Sequence, residues 1–233
     1  MTAEDKKQLY TFLTTVEDWI NGYKTASQDV QFADDIDLSR GFASLGEIAE
    51  QVASCKACRL SLNRSLAVPG EGPAGTERIQ VVVIGEGPGA DEDASGRPFV
   101  GKAGQLLDKM LAAISLSRSE NCFIANIVKC RPPQNREPSP DEVATCLPFL
   151  EAQIALANPL LILALGRTAA QTLLGTPEGI TMLRGRFYDY RGIPVLPTYH
   201  PSALLRDEAL KRPAWEDLKL FRAELDRLIS GDR

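Results

Sequence analysis

The sequence predicts an α/β fold: an open, mostly parallel four-stranded sheet with helices on both faces, plus a helical extension at the N-terminus. Short runs rich in Val, Ile and Leu alternate with longer segments of helical periodicity, as in sheets covered by helices. Three of the runs are followed by segments of unusual composition. At 233 residues, the chain is long enough for one large domain with an appendage.

Residues 1–40 are predicted to lie outside the main domain. Apolar residues recur at helical spacing over residues 4–22, which predicts an amphipathic helix. The stretch 29–37 holds four aspartates and no Lys or Arg, a composition typical of a linker. The sequence therefore predicts an N-terminal helix and acidic linker, followed by a main domain over residues 41–233.

Hydrophobic patterning predicts the elements of the main domain. The predicted strands are Ile79–Ile84, Phe123–Val128, Leu160–Leu165 and Ile193–Leu196. The predicted helices are Ala103–Ile114, Pro140–Leu156, Arg167–Leu174 and Ala214–Ile229. The second helix has the clearest start, because Ser139, Pro140 and Glu142 fit the cap, the first helical position and a capping box.

Charge and hydropathy restrict the class of protein. The net charge is −5, but the first 50 residues hold ten acidic and four basic side chains, so the remainder carries +1. Two later stretches lean basic, which keeps a nucleic-acid partner open. No apolar run reaches the ~18 residues of a membrane span, and the acidic N-terminus is unlike a signal peptide. We expect a cytoplasmic protein without a membrane partner.

The segment Gly85–Asp93 follows the first predicted strand and combines three glycines with four acids. Ligands of open α/β sheets bind at such strand ends. The glycine pattern formally matches a dinucleotide fingerprint, but Pro88 lacks an N–H and the acids would repel a pyrophosphate. Clustered carboxylates at this position suit general base catalysis, water orientation or stabilisation of a cationic transition state.

Two other strand ends carry candidate residues. Asn126 lies at the end of the second strand, and His200, the only histidine, follows the fourth. A lone histidine is more often structural than catalytic, yet His200 lies on the same predicted edge as the acid cluster. Phe99, in a glycine-flanked loop, fits either core packing or stacking on a base.

Five cysteines in a chain without an export signal are not expected to form disulfides. Cys55-x-x-Cys58 has metal-ligand spacing, and Cys130 and Cys146 would complete a set of four. Three interpretations stay open from the residues alone: ligation of zinc or of an iron–sulfur cluster, a redox pair, and simple burial. Cys122, beside an apolar strand, is predicted to lie in the core.

Six segments together resemble one family. They are Cys55-x-x-Cys58, Gly85–Gly89 with Glu92 and Asp93, Gly96–Gly104, Asn126–Arg136, Cys146, and His200–Arg206. Their order, spacing and residue types closely resemble the family 4 uracil-DNA glycosylases, the iron–sulfur branch of that superfamily, from about residue 45 to 229. The resemblance implies a monofunctional glycosylase of base-excision repair. Such an enzyme flips uracil out of single- or double-stranded DNA, hydrolyses its N-glycosidic bond and leaves an abasic site.

The resemblance also implies ligands and base-binding roles. It implies a 4Fe-4S cluster held by Cys55, Cys58, Cys130 and Cys146. A neutral His200 would donate a hydrogen bond to uracil O2, and Asn126 would select the base. Phe99 would stack on the flipped ring, and Gly87 would border the base.

The resemblance leaves the water-placing acid open. Glu86 and Glu92 are the candidates to place the water or to favour the cationic sugar, with Asp93 as a third. The better-known branch has an aspartate and a tyrosine where this chain has Gly87 and Gly89, so other groups must activate water and exclude thymine. We expect Glu92 to exclude thymine.

The resemblance also implies contacts with the DNA backbone. Ser202 and Arg206 are predicted to hold the DNA backbone, with Lys102 and Arg136 as weaker candidates. We expect a monomer. A non-catalytic iron–sulfur protein that binds DNA or senses damage is the alternative. A dinucleotide-dependent oxidoreductase is a third interpretation, which Pro88 disfavours.

Overall fold

A computed structural model describes residues 41–231 of the chain. The predicted helix over residues 4–22 and the acidic linker lie outside the described residues. The strands are β1 (Val81–Gly85), β2 (Cys122–Asn126), β3 (Leu161–Leu165), β4 (Tyr188–Tyr190) and β5 (Ile193–Thr198). The α-helices are α1 (Leu45–Ser54), α2 (Ala90–Ser95), α3 (Lys102–Ala112), α4 (Pro140–Ala157), α5 (Arg167–Leu174), α6 (Ile180–Leu183), α7 (Pro201–Arg206) and α8 (Lys211–Ser230).

The strands form one sheet in the order β2-β1-β3-β5-β4. Four neighbouring strands are parallel, as predicted, and β4 pairs with β5 in the antiparallel sense. The predicted count of four strands was therefore one short. The extra strand has only three residues, none of them fully buried, and leads into β5 through a two-residue hairpin turn in which Arg191 and Gly192 have φ values of 53° and 87°. A strand without a buried run leaves no hydrophobic signal.

Helices cover both faces of the sheet, which confirms the predicted layering. Successive residues of β1 alternate between the faces. Val82 and Ile84 pack in a core with side chains of α1, α4 and α5. Val81 and Val83 pack in a second core with side chains of α3 and α8. Cys122 is fully buried in this second core, as predicted.

Local sequence signals explain how the long helix α4 begins. The Glu142 carboxylate accepts a hydrogen bond of 2.8 Å from the backbone N–H of Ser139, the return bond of a capping box. Pro140 occupies the first turn, where its missing N–H costs nothing. Within residues 41–231, no helix is both long and apolar enough to cross a membrane.

Two short helices that the patterning did not predict, α2 and α7, begin just after β1 and β5. Each has six residues, too few for a clear hydrophobic period. Both begin at the carboxyl edge of the sheet, where Gly85 of β1 lies in register with Asn126 of β2. This edge therefore gathers the loops that hold the candidate residues.

Candidate active site

A cleft of about 520 Å³ opens at the carboxyl edge of the sheet. The eight predicted residues of the base and DNA site all line it: Glu86, Gly87, Glu92, Phe99, Asn126, His200, Ser202 and Arg206. Their convergence follows from the topology, because parallel strands deliver their carboxyl ends to one edge. The contacts of each side chain then indicate what it can do.

Asn126 presents an unsatisfied acceptor. Its side chain is only 2% exposed, and its Oδ1 is buried without a hydrogen-bond partner among the described residues. Buried polar atoms are nearly always paired, so an orphaned acceptor on a cleft wall calls for a donor from a ligand. Gly85 makes room for it, since a Cβ there would lie 2.5 Å from this Oδ1 and 2.5 Å from the ring of Phe99.

His200 has a defined tautomer. Its Nδ1 accepts a hydrogen bond of 3.1 Å from the backbone N–H of Ser202 and lies 2.8 Å from the Ser202 hydroxyl. Burial, and secondarily the positive charge of Arg206, lowers the pKa of His200 to about 4. The imidazole is therefore neutral at pH 7. Because its Nδ1 is an acceptor, the proton is on Nε2, which is free to donate.

Phe99 lies beside His200, with ring centroids 5.6 Å apart and planes inclined by 32°. Its backbone has φ 53°, a left-handed conformation that is costly for a bulky residue and needs support. Arg118 supplies part of this support, donating hydrogen bonds of 2.8 Å to the carbonyls of both Pro98 and Phe99. Arg118 in turn pairs with Asp108 at 2.7 Å.

Glu92 supports the same loop from the other side. One carboxylate oxygen accepts hydrogen bonds of 2.9 Å from the N–H groups of Val100 and Gly101. The other accepts a bond of 3.0 Å from the N–H of Gly89. The carboxylate therefore joins the loop after β1 to the loop that carries Phe99, and three backbone donors already occupy its oxygens.

Glu86 is the carboxylate of the cleft that keeps an open side. Its Oε2 accepts a hydrogen bond of 2.5 Å from the Thr168 hydroxyl. The same hydroxyl lies 3.2 Å from Oε1 of Glu137, and Glu137 forms an ion pair with Arg167. Asp93 points elsewhere, since its Oδ1 accepts a bond of 2.9 Å from the N–H of Ser65.

The residues predicted to contact DNA differ in their contacts within the protein. Arg206 is exposed where it borders the cleft. The Ser202 hydroxyl is engaged with His200, so Ser202 also helps to orient the imidazole. Arg136 makes a bidentate pair with Glu142, at 2.7 and 2.9 Å, which fixes the loop before α4. Lys102 is exposed at the start of α3.

Four of the five cysteines line a second, smaller cavity, away from the cleft: Cys55, Cys58, Cys130 and Cys146. N–H donors point at several of their sulfurs. Arg64 donates to Sγ of Cys130 at 2.9 Å, and the backbone N–H of Lys129 donates to Sγ of Cys146 at 3.3 Å. Burial raises the pKa of Cys146 to about 12.

The cysteine cavity is linked to the base site through Lys129. Its side chain is 1% exposed, and its Nζ donates to the backbone carbonyl of Asn126 at 2.8 Å and to Gln153 at 2.7 Å. Burial lowers the pKa of this ammonium group to about 8, so it stays charged at pH 7. Residues 126–130 therefore connect the base site to the cysteine cavity.

Two residues that shape the site, Arg118 and Thr168, were missed from the sequence. Thr168 follows β3, whose carboxyl end lies at the same edge of the sheet, so the strand-end rule points to it as well. Arg118 carries no local signal, because its partners Phe99 and Glu71 lie 19 and 47 positions away in sequence.

Comparisons with known proteins agree with this architecture. The family model "Uracil DNA glycosylase superfamily" matches residues 69–219. A type-4 uracil-DNA glycosylase of Thermotoga maritima is 47% identical over 74% of this chain and 90% of its own length. Type-4 enzymes of Sulfurisphaera tokodaii and Pyrobaculum aerophilum are each 42% identical, covering 77% and 81% of this chain and 84% and 99% of their own lengths. The chain therefore belongs to the uracil DNA glycosylase superfamily and, within it, to the type-4 uracil-DNA glycosylases.

Proposed function

We propose that the protein is a monofunctional uracil-DNA glycosylase of base-excision repair, which hydrolyses the bond between uracil and deoxyribose and leaves an abasic site. The observation that carries the proposal is the buried Oδ1 of Asn126, which has no partner among residues 41–231 and shares one cleft with the neutral His200. These groups complement the N3–H and O2 of uracil. The names of the type-4 relatives support the same activity.

Asn126 gives the site its choice of base. Uracil presents an acceptor at O4 and a donor at N3, which fit the amide N–H and Oδ1 of Asn126. Cytosine presents the reverse pattern and would leave the buried Oδ1 facing another acceptor, at a cost of about 1–3 kcal/mol. Phe99 provides a face on which the flipped ring stacks.

His200 stabilises the leaving base. As the C1′–N1 bond breaks, its electron pair moves onto uracil, and negative charge develops at O2. A neutral imidazole donating from Nε2 stabilises that charge, a contribution typically worth about 3 kcal/mol. The neutral form persists across physiological pH because the pKa of His200 is lowered to about 4.

We assign to Glu86 the role of orienting the water that attacks the sugar. The carboxylate of Glu92 already accepts three backbone N–H bonds, and Asp93 accepts from Ser65. Glu86 lines the cleft with one oxygen held by Thr168 and the other available to orient the water that adds to C1′ and to accept the proton that this water loses. Its negative charge also favours the oxocarbenium-like sugar.

Thymine exclusion and DNA binding use the rim and wall of the cleft. Glu92, held rigidly on the wall, is our candidate for excluding the 5-methyl group of thymine, and Gly87 borders the base. Arg206 and Lys102 supply exposed positive charge for phosphates of single- or double-stranded DNA. We further propose a cytoplasmic monomer whose residues 41–233 form the glycosylase domain.

We also propose that the four cysteines of the second cavity hold a 4Fe-4S cluster. The donor set fits, because four thiols surround one cavity and several of them receive N–H bonds of the kind that tune cluster sulfurs. The bound cluster would cross-link residues 55–58 to residues 130–146.

The experiment uses labelled oligonucleotides that carry one uracil, thymine, cytosine or hypoxanthine, followed by alkaline cleavage at abasic sites. We expect cleavage at uracil with the wild-type protein. The Asn126→Asp variant should change the preference between uracil and cytosine, while Asn158→Asp, at an exposed helix end, should not. An iron-replete protein that cleaves none of the four substrates would overturn the proposed function.

A further inference from the structure

We infer that Thr168 is a positioning residue that holds the carboxylate of Glu86 in the orientation in which it can bind the attacking water. The inference rests on the proposed function, in which Glu86 is the water-orienting acid. Thr168 is 6% exposed and does not line the cleft, so it supports the carboxylate from behind. Among residues 41–231, its hydroxyl is the one hydrogen-bond partner of the Glu86 side chain.

The position of the Thr168 hydroxyl is fixed by the fold. Thr168 lies in the first turn of α5, directly after β3, and Gly166 anchors that turn by donating its N–H to the carbonyl of Thr198 at 2.8 Å. Gly166 has φ 87°, and a Cβ there would lie 2.9 Å from Cβ of His200, so the turn packs closely on the histidine loop. Because Thr168 is β-branched, its χ1 torsion is also restricted, which limits the positions that its hydroxyl can take.

The hydroxyl has a single proton and two acceptors in reach. The distance to Glu86 is 2.5 Å and the distance to Glu137 is 3.2 Å, so the geometry favours donation to Glu86. Glu137 has Arg167 as a cationic partner and depends less on the hydroxyl. One oxygen of Glu86 is thereby held in place, and the other is free to face the cleft.

Holding the carboxylate should affect the chemical step and not DNA affinity. An unanchored Glu86 can rotate among several rotamers, and only some of them present an oxygen to the water. Loss of a hydrogen bond to a charged group of this kind corresponds to about tenfold or more in rate. Binding of DNA phosphates by Arg206 and Lys102 does not use the hydroxyl.

The test is a double-mutant cycle between positions 168 and 86, measured as single-turnover excision of uracil. Thr168→Val replaces the hydroxyl with a methyl group, and we expect a rate about tenfold lower with affinity for abasic DNA within about twofold. Thr168→Ser, which keeps the hydroxyl, should restore most of the rate. In a Glu86→Gln background, Thr168→Val should add less than about a twofold further loss.

Several outcomes would overturn the inference. One is a full additional tenfold loss from Thr168→Val in the Glu86→Gln background, because Thr168 would then act through the fold. Another is a tenfold lower excision rate in Glu137→Gln, which would show that the Thr168 hydroxyl acts through Glu137 and not through Glu86. If Thr168→Val does not fold, Thr168→Ala takes its place in the same cycle.

The cycle also separates this inference from the proposed function. A normal rate in Thr168→Val with a strongly impaired Glu86→Gln overturns the inference alone. A normal rate in Glu86→Gln removes Glu86 from the water and overturns the inference together with that part of the proposed function.

Discussion

Replacing Gly104 with alanine should displace the loop that carries Phe99. A Cβ at Gly104 would lie 1.9 Å from the carbonyl oxygen of Phe99 and 2.0 Å from its carbonyl carbon, where real Cβ atoms essentially never approach within 3.0 Å. The obstacle is backbone and not a flexible side chain, so the loop or the helix must move by an ångström or more. Because Phe99 is held in a left-handed conformation, the loop has little freedom to adjust.

The expected cost can be estimated from three contributions. Alanine is intrinsically better than glycine inside a helix by about 1 kcal/mol. Overpacking of a tight contact costs about 1–3 kcal/mol. Loss of the bond from the Arg118 guanidinium to the displaced Phe99 carbonyl costs about 1.5–3 kcal/mol. The free energy of unfolding should therefore fall by roughly 1.5–5 kcal/mol despite the better helix propensity.

The assay is urea unfolding together with single-turnover excision of uracil under conditions where the variant is folded. Gly46→Ala is the matched control, since Gly46 also lies in the first turn of a helix, α1, and only Ser44 Oγ, at 3.6 Å, is near its added Cβ. The control should be unchanged or more stable by up to about 1 kcal/mol, with wild-type activity. Gly104→Ala should be destabilised and should excise uracil more slowly, because the stacking ring has moved.

A Gly104→Ala protein with wild-type stability and a wild-type rate would refute the reasoning. It would mean that the close contact relaxes without cost and that the position of Phe99 does not depend on it. Destabilisation with an unchanged rate would separate the two effects, and would show that excision tolerates a displaced Phe99.

Four other predictions follow from the contacts of the cleft and of the cysteine cavity. His200 is the only histidine, so selective ¹⁵N labelling should show one neutral imidazole with its proton on Nε2 from pH 8 to 5; a transition near pH 6.5 would contradict the lowered pKa. Because the unfolded chain protonates this imidazole near pH 6.5 and the folded protein only near 4, stability should fall as the pH drops through that window. Arg118→Met should weaken stacking by Phe99 and reduce excision about tenfold, with DNA affinity retained; equal losses of both would point to general unfolding. Cys146→Ser should lose iron by elemental analysis while Cys122→Ser keeps it, and the reverse result would show that the ligands were misassigned.

The sequence predicts the composition of the site because the fold class places the ends of its parallel strands together. Glu86, Asn126 and His200 are far apart in sequence, yet each lies at or just after the carboxyl end of a strand in one parallel sheet. Recognising the strands was therefore enough to predict that these side chains share a cleft. A fifth strand at the edge, β4, does not alter this conclusion because it lies beyond β5.

The supporting contacts depend on distances that the sequence does not specify. Arg118 reaches the carbonyl of Phe99 because α3 and the segment before β2 fold back on the Phe99 loop, a tertiary arrangement without a local pattern. The strand-end rule can place Thr168 at this edge of the sheet, but only the structure shows its 2.5 Å contact with Glu86. Propensity and periodicity describe elements, whereas the partner of a given polar atom is set by packing between elements.

Whether a polar group supports a loop or contacts the substrate depends on how far its hydrogen-bonding capacity is already used within the protein. Glu86 and Glu92 are equivalent by residue type and lie six positions apart, and the sequence gives no reason to separate them. In the structure, three backbone amides bind both oxygens of Glu92 and tie it to two loops, while Glu86 has one donor within residues 41–231, the Thr168 hydroxyl, on one oxygen and keeps the other oxygen for the cleft. Asn126 is the opposite case, because its buried Oδ1 has no partner among the described residues. A buried acceptor without a partner costs free energy until a ligand supplies a donor. Satisfied groups therefore hold the loops in place, and unsatisfied ones are left to meet the base and the water.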